Sequence, residues 1–187
     1  HRQQIRQALK KGYETDIDDG DRYLEDFRTL YRGTMQERAA DAYYFFDDRY
    51  FDALREIGGC DLHIAIARKD DTIAAAGLFM VTGDIVQMHL TGHDSRFAAD
   101  QPMKLVFHAV RAWACEQGLR VLHLGGGRGG QEDSLLHFKA GFSPLRQPYR
   151  TIRIVIDEPA YARAVAERDP VLDPTDLSRT FPAYRDD

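Results

Sequence analysis

A glycine-rich loop lies between a predicted strand and a predicted short helix in the segment VLHLGGGRGGQEDSLLHFKAGF, residues 121–142. Five of the six residues in Gly125–Gly130 are glycine, so backbone amides there can approach a ligand closely. Asp133 is the predicted N-cap of the helix, and Gly141 is the predicted left-handed residue that ends it. A helix start carries a partial positive charge, and Lys139 adds a full one. The segment therefore predicts a site for a phosphate, a carboxylate or a developing oxyanion.

Two other interpretations of the loop stay open. The glycines could form only a flexible surface loop. Alternatively, Gly125, Gly127 and Gly130 fit the dinucleotide pattern G-x-G-x-x-G, with Asp157 as the ribose ligand. The predicted helix is short, however, and fewer than forty residues follow Asp157, which is too few for the remaining strands of a doubly wound sheet.

Composition predicts one globular domain in a chain of 187 residues, with 43% hydrophobic and 29% charged residues. No apolar run approaches the roughly 18 residues of a membrane span, so we expect a protein that is not transmembrane. Cys60 and Cys115 are far apart in the sequence, which fits a reducing compartment and predicts a cytoplasmic location. The chain starts at His1 rather than Met, which suggests that it was cut from something longer.

The net charge of −5 argues against a general nucleic-acid coat, but the charge is uneven. The segment from Arg120 to Arg153 contains six basic residues and only two acids, Glu132 and Asp133. Either this is a basic solvated surface, or it attracts a polyanionic part of a ligand.

Hydrophobic periodicity predicts the order of the elements. Three helices, over about 2–11, from about 21 and from about 47, precede an antiparallel meander of three strands, 62–67, 73–81 and 85–90. A polar loop at Thr91–Asp94 leads to a helix that begins near Pro102 and ends at Gly118. The glycine-loop strand and helix follow, and then a strand over about 149–156 and a helix over about 159–167.

This order predicts an α+β fold with a mixed, mostly antiparallel sheet flanked by helices. We expect a single domain over 1–168, with N-terminal helices in 1–58, a sheet core in 60–157 and an irregular tail in 169–187. A meander followed by a crossover predicts two central strands that part at their ends, where open sheets bind ligands.

Several segments resemble the FemAB-type branch of the GNAT acyltransferase fold, over about the first 155 residues. They are the basic helix 2–12, Tyr31-Arg32-Gly33-Thr34-Met35, Leu78-Phe79, His89-Leu90-Thr91-Gly92, and above all LHLGGGRGGQEDSLLHFKAGF. That branch includes enzymes that transfer amino acids from aminoacyl-tRNA to the peptide of peptidoglycan precursors. The resemblance implies that the strands ending at Gly92 and Leu124 part to admit the acyl donor, and that Lys139 matches the lysine of an F-K-x-x-F motif near the reacting carbonyl.

Two departures from the family pattern bear on the donor and on the architecture. FemAB proteins usually pair two such domains, and this chain resembles only the second, which implies a missing N-terminal domain or a homodimer. The acetyl-CoA pyrophosphate signature Q/R-x-x-G-x-G/A is absent between Gly92 and Pro102. We therefore expect no tightly bound cofactor, and a co-substrate that is either aminoacyl-tRNA, through its 3′ end, or acyl-CoA.

Acyl transfer to an amine needs a neutral amine, a polarised carbonyl and a stabilised oxyanion. We predict Lys139, His93 and Asp94 as catalytic residues, with His89 as the second choice of base. The predicted donor-binding residues are Thr91, Gly92, Gly125, Gly126, Gly127, Arg128, Gly129, Gly130, Asp133 and Ser134. Histidine spacing fits no common zinc site, so we predict no metal, and the sequence around Ser134 is not the G-x-S-x-G of hydrolases.

These residues lead to one hypothesis and two alternatives. The hypothesis is transfer of an acyl or aminoacyl group to an amine acceptor in cell-envelope precursor synthesis. The first alternative is an acetyl-CoA-dependent N-acetyltransferase acting on a small amine. The second is a non-catalytic half domain that binds a nucleotide-bearing ligand or a partner domain.

Overall fold

The computed structural model describes residues 1–19, 21–176 and 181–185. It divides the chain into two compact units, residues 1–144 and 145–187. This boundary falls earlier than the predicted end of the domain at residue 168.

Unit 1 is built on a five-stranded sheet in the order β1-β2-β3-β4-β5. The strands are β1 (Tyr13–Asp18), β2 (Asp61–Lys69), β3 (Thr72–Thr82), β4 (Ile85–His93) and β5 (Val121–His123). The first four pair antiparallel, and β5 pairs parallel with β4. The predicted α+β class, with a mostly antiparallel sheet, is confirmed. The doubly wound alternative is wrong, because only one of the four strand pairs is parallel.

The helices of unit 1 are α1 (Arg2–Lys10), α2 (Leu24–Glu37), α3 (Asp48–Arg55), α4 (Met103–Glu116) and α5 (Ser134–Ala140). One group of buried side chains, including Phe27, Tyr31 and Phe51, lies between α2, α3 and one face of the sheet. A second group, including Phe79, Phe107 and Val110, lies between α1, α4 and the sheet. Both faces of the sheet are therefore covered by helices.

The two predicted hairpin turns of the meander are present. Two residues, Asp70 and Asp71, connect β2 to β3, and Gly83 and Asp84 connect β3 to β4. Asp70 has φ 53° and Gly83 has φ 58°, the left-handed values that such tight turns require. The predicted polar loop at Thr91 is wrong, because β4 continues to His93, which pairs with Ala75. The polar residues Thr91 and His93 favour a loop in the sequence, but their backbones pair with β3.

Unit 2 contains α6 (Glu158–Arg168), as predicted, with Asp157 as its N-cap. The predicted strand over about 149–156 does not form. Tyr149, Ile152 and Ile156 are 91%, 85% and 97% exposed. Alternating apolar side chains favour a strand, but a strand also requires backbone pairing with another segment, and local pattern does not report that. No helix in the described residues is long and apolar enough to cross a membrane.

Candidate active site

A cleft opens where β4 and β5 part. The two strands pair only from Ile85 with Val121 to Gln87 with His123. Beyond that point β4 runs on to His93, whereas the chain after β5 turns into the glycine loop. The cavity has a volume of about 480 Å³ and lies between β4, the start of α4 and α5. This is the parting of strands that the sequence predicted, shifted by one residue at each strand end.

The cleft wall contains five of the predicted site residues, namely Thr91, His93, Arg128, Ser134 and Lys139. Residues that sequence reasoning did not select also line it, among them Arg38, Met88, Lys104, Phe107 and Phe138. Lys104 carried a usable signal, since it is a single cation within the apolar run Met-Lys-Leu-Val-Phe at a helix start. Arg38 had none, because its approach to the cleft depends on how α2 crosses the sheet.

Lys139 is the buried cation of α5. It is only 8% exposed, and its Nζ donates a hydrogen bond of 2.8 Å to the carbonyl oxygen of Gly126. Burial lowers the pKa of the Lys139 amine, and the carboxylate of Asp133 acts in the opposite direction. The lysine therefore lies at the cleft wall, fixed to the glycine loop rather than extended into water.

The glycine loop folds onto the start of α5. Asp133 accepts from the Leu136 N–H at 2.9 Å, which confirms it as the N-cap, and it also accepts from the Arg128 N–H at 3.2 Å. The hydrogen bond from the Leu136 N–H is the largest cause that lowers the pKa of Asp133, and the Arg128 contacts add to it. Together they lower the pKa of Asp133 to about 2. A Cβ at Gly127 would collide with the carbonyl of Gln131 and the Asp133 carboxylate.

The glycines thus serve mainly to curl the loop tightly. Gly125 and Gly129 have φ 71° and 57°, so each supplies a left-handed turn. Among the described residues of Gly125–Gly130, only Arg128 lines the cleft. The sequence predicts that the backbone amides of the glycines face the ligand, and the geometry does not place them there. Gly126 contributes through the carbonyl that holds Lys139.

The C-terminal end of α5 differs from the prediction. Gly141 has φ −69°, in the right-handed helical region, and not the expected left-handed value. A glycine is needed there for another reason, since a Cβ would collide with the ring of His1. The His1 ring also lies 4.5 Å from that of Phe142, and its Nε2 is 2.7 Å from the carbonyl oxygen of Phe138.

His93 lies at the end of β4 and is held by α2. The backbone N–H of His93 donates to the Thr34 hydroxyl at 2.9 Å, and that hydroxyl donates to the Leu30 carbonyl at 2.8 Å. Burial, followed by the nearby charge of Arg38, lowers the pKa of His93 below its ordinary 6.5. A half-buried imidazole that stays neutral near pH 7 can accept a proton from an attacking amine.

Gly92 determines how closely α2 approaches this strand. A Cβ at Gly92 would lie 2.5 Å from the backbone nitrogen of Tyr31 and 2.6 Å from the carbonyl carbon of Leu30. Gly92 itself is buried and does not appear on the cleft wall. Its contribution is therefore to the packing that brings Thr34 next to His93.

Asp94 and His89, the other predicted candidates for the base, hydrogen-bond to other residues. The Asp94 carboxylate is bonded to the N–H and guanidinium of Arg96, which lowers its pKa and weakens it as a base. His89 is the extra residue at a bulge in β4, and its Nε2 lies 2.6 Å from the Tyr50 hydroxyl. Neither residue lines the cleft in the described part of the chain.

Comparison with known proteins identifies the fold family. A family model described as acetyltransferase (GNAT) domain matches residues 1–139. The chain belongs to this GNAT family. Members of this family transfer acyl groups. A comparison with curated protein sequences found no match.

Solved structures with this fold include several acyltransferases. An aminoglycoside acetyltransferase from an uncultured soil metagenomic sample superposes with a TM-score of 0.59 at 10% identity, covering 80% of this chain and 99% of that one. FemX gives a TM-score of 0.55 at 16% identity, covering 75% of this chain and 51% of FemX. AAC(6')-Iy, in complex with a CoA-containing bisubstrate analogue, gives 0.50 at 15% identity, covering 77% of this chain and 99% of that one. The unit described here thus corresponds to about half of FemX.

No group of three or more His, Cys, Asp or Glu side chains that could hold a metal ion occurs in residues 1–19, 21–176 and 181–185. The described side chains that line the cleft include amine, imidazole, hydroxyl and guanidinium groups. Such groups suit proton transfer and stabilisation of negative charge.

Proposed function

We propose that this protein transfers an acyl or aminoacyl group to an amine acceptor, in the manner of the FemAB-like branch, during synthesis of a cell-envelope precursor. The observation that carries the proposal is the pairing of Lys139 and His93 in one cleft. Lys139 is a buried amine fixed by the Gly126 carbonyl, and His93 is a half-buried imidazole with a lowered pKa. Both lie where the strands part.

The reaction needs no covalent enzyme intermediate. The acceptor amine attacks the carbonyl carbon of the donor, and a C–N bond forms. His93 accepts the proton that the amine loses, while Lys139 stabilises the oxyanion of the tetrahedral intermediate. Collapse of the intermediate breaks the bond to the donor oxygen, or to sulfur in a thioester, and the leaving group takes up a proton.

The start of α4 favours an aminoacyl-tRNA donor over acyl-CoA. The acetyl-CoA pyrophosphate signature is missing there. In addition, two of the backbone N–H groups that could bind a phosphate at this helix start already donate hydrogen bonds within the chain. The Lys104 N–H donates to the Gln101 carbonyl at 3.0 Å, and the Leu105 N–H donates to the Pro102 carbonyl at 2.9 Å. The resemblance around Lys139 to the F-K-x-x-F motif supports the same donor.

An acetyl-CoA-dependent N-acetyltransferase is the second candidate. The matching family model is that of an acetyltransferase domain. The structure of AAC(6')-Iy, which has the same fold, contains a CoA-containing bisubstrate analogue. Gln101, Pro102 and Met103 at the start of α4 also line the cleft, so a donor would reach this helix end. The two candidates share the cleft and differ in the donor.

A donor-selection assay separates the candidates. The protein would be offered, in parallel, alanine-charged acceptor-stem minihelix and acetyl-CoA, each labelled in the acyl group, with a UDP-linked muropeptide that bears a free lysine amine. Label transferred from the minihelix supports the proposal. Label transferred only from acetyl-CoA supports the second candidate, and binding of neither donor in calorimetry overturns both in favour of a non-catalytic half domain.

A further inference from the structure

One hydroxyl oxygen lies against three polar groups of His93. The Oγ1 atom of Thr34, on α2, is 2.9 Å from the backbone nitrogen of His93, 3.2 Å from its carbonyl oxygen and 3.5 Å from its ring atom Nδ1. Thr34 is buried, with only 4% of its surface exposed, so its hydrogen bonds are made within the protein. The proposed reaction uses the imidazole of His93 and assigns no role to this hydroxyl group.

The single proton of the Thr34 hydroxyl is donated within α2. Oγ1 lies 2.8 Å from the carbonyl oxygen of Leu30, one helical turn earlier, and this acceptor is nearer than either acceptor of His93. Threonine in a helix can make this bond, which also fixes its side-chain rotamer. A hydroxyl group has one proton and two lone pairs. With the proton donated to Leu30, the oxygen acts toward His93 as an acceptor.

The two lone pairs of Oγ1 therefore face two potential donors of the same residue. The backbone N–H of His93 donates to the first. The second accepts from the ring only if Nδ1 carries a hydrogen, because an unprotonated Nδ1 would place one lone pair against another. In a neutral imidazole with its hydrogen on Nδ1, Nε2 is the nitrogen that can accept a proton. Within the described residues, Nε2 of His93 has no hydrogen-bond partner.

We propose that the Thr34 hydroxyl holds His93 in the tautomer with hydrogen on Nδ1, so that Nε2 is the atom that accepts the proton of the attacking amine. Thr34 is then a positioning residue, because His93 lines the cleft and Thr34 is not among the described residues that do so. The role of Nε2 as the base rests on the proposed function, whereas the tautomer does not. A histidine side chain free in water favours the other tautomer, so the effect of the hydroxyl is measurable.

Three variants of the full chain separate the hydroxyl from the packing around it. Thr34→Val keeps the shape of the side chain and removes the hydroxyl, and Thr34→Ser keeps the hydroxyl and removes a methyl group. Thr29→Val makes the first change at an exposed position of the same helix, as a matched control. Thr34→Val also leaves the backbone N–H of His93 without its acceptor, so we expect it to melt lower and make all measurements well below its melting temperature.

Nitrogen NMR of the labelled protein measures the tautomer without any substrate. Long-range proton–nitrogen correlation spectra distinguish a protonated ring nitrogen from an unprotonated one, and a His93→Gln spectrum identifies the signals of His93 among the seven histidines. The spectra are recorded near pH 8, where the imidazole is neutral because its pKa lies below 6.5. We expect hydrogen on Nδ1 in the parent, Thr34→Ser and Thr29→Val proteins, and mainly on Nε2 in Thr34→Val.

Transfer kinetics measure what the tautomer contributes to the reaction. We expect Thr34→Val to lower kcat by about tenfold, as for the loss of one hydrogen bond that orients the base. KM should stay unchanged, because the hydroxyl acts on the base and not on a bound substrate. Thr34→Ser should recover most of the lost kcat, and Thr29→Val should match the parent.

Several results would overturn the inference. Hydrogen on Nε2 of His93 in the parent protein is one, and hydrogen on Nδ1 that persists in Thr34→Val is another. Equal losses of kcat in Thr34→Val and Thr34→Ser would reduce the role of Thr34 to packing. A tautomer that depends on Thr34, in a protein that transfers from neither donor, would leave the tautomer assignment standing while the proposed function fails. Undiminished kcat in Thr34→Val would keep the proposed function and remove the hydroxyl from it.

Discussion

At the scale of single residues, the state of His93 determines when the proposed base can work. Burial is the main cause of its lowered pKa, and Arg38 adds to it. Since the imidazole must be neutral to accept a proton, activity should fall on the acid side at a pH below 6.5, the ordinary histidine value. The protein would thus keep its base available throughout the neutral range.

Replacing Arg38 tests this assignment. In an Arg38→Met protein the cation that disfavours imidazolium is gone, so the His93 pKa rises and the acid limb of the pH profile of kcat/KM moves to higher pH. Arg32→Met is the control, because that arginine pairs with Asp48 on the exposed side of α2. An acid limb at the same pH in the Arg38 variant, the control and the parent would exclude His93 as the titrating group.

Single residues also show where sequence reasoning worked. Asp133 was recognised as a cap because capping depends on residues within one turn of it. Lys139 lies in a local motif and lines the cleft, while its catalytic role stays a prediction. The approach of Arg38 to the cleft depends on how α2 crosses the sheet, and the contact between His1 and Gly141 joins segments more than a hundred residues apart, so no local pattern encodes either of them.

At the scale of elements, the packing of α2 onto β4 places Thr34 beside His93. Gly92 permits it, since any Cβ there would meet the backbone of Leu30 and Tyr31. Backbone atoms cannot move aside as a flexible side chain can. The close spacing between α2 and β4 therefore requires a residue without a side chain at position 92.

A pair of glycine substitutions tests that spacing. Gly92→Ala should destabilise the protein by about 1–3 kcal/mol, as an overpacked site does. Gly33→Ala, within α2 and with nothing within 4 Å of its Cβ, should instead be neutral or stabilising by up to about 1 kcal/mol, through helix propensity. Urea unfolding measures both, and equal stabilities would show that α2 does not approach β4 so closely.

The start of α5 carries a separate pH dependence. The pKa of Asp133 is lowered from 3.8 to about 2, chiefly by its cap bond to Leu136. A depressed folded-state pKa means that this carboxylate stabilises the fold above pH 3.8, and that the stabilisation is lost as the pH falls toward 2. An Asp133→Ala protein should melt lower at pH 7 and show a smaller further loss between pH 4 and pH 2.

Glu132→Ala is the matched control for Asp133, because it removes a neighbouring exposed carboxylate that caps no helix. The comparison is made by thermal melting at several pH values. Parallel melting curves for Asp133→Ala and Glu132→Ala would contradict the capping role.

Elements also mark the limit of prediction from sequence. The meander was predicted well because its turns are two residues long and carry their own signals at Asp70 and Gly83. The segment 149–156 was not, because alternating isoleucines specify a face but not a partner strand. The length of β4 was underestimated for the related reason that pairing to β3 continues through polar residues such as Thr91 and His93.

At the scale of the whole molecule, the boundary between the two units bears on which part acts. The family match ends at residue 139 and the first compact unit ends at residue 144. The cleft residues all lie within that unit. A protein ending at Pro144 should therefore unfold in one cooperative transition, measured by calorimetry. If only a protein ending at residue 168 folds, the domain predicted from the sequence is the better description.

The chemistry of the whole cleft depends on Lys139. In a Lys139→Met protein the side chain keeps its size but cannot stabilise the oxyanion, and the rate of a single turnover should fall by about a hundredfold or more, as it does on loss of one oxyanion donor. The substitution keeps the apolar contacts of α5 but removes the hydrogen bond to the Gly126 carbonyl, so a lower melting temperature is expected and the rate is measured well below it.

That rate, measured with whichever labelled donor the parent protein uses and a saturating amine acceptor, decides whether the cleft is the reaction centre. We predict a loss of at least about a hundredfold in Lys139→Met, against parent-like transfer in the control Lys10→Met, which removes an exposed lysine of α1. Undiminished single-turnover transfer by a correctly folded Lys139→Met protein would show that the acyl group reacts elsewhere.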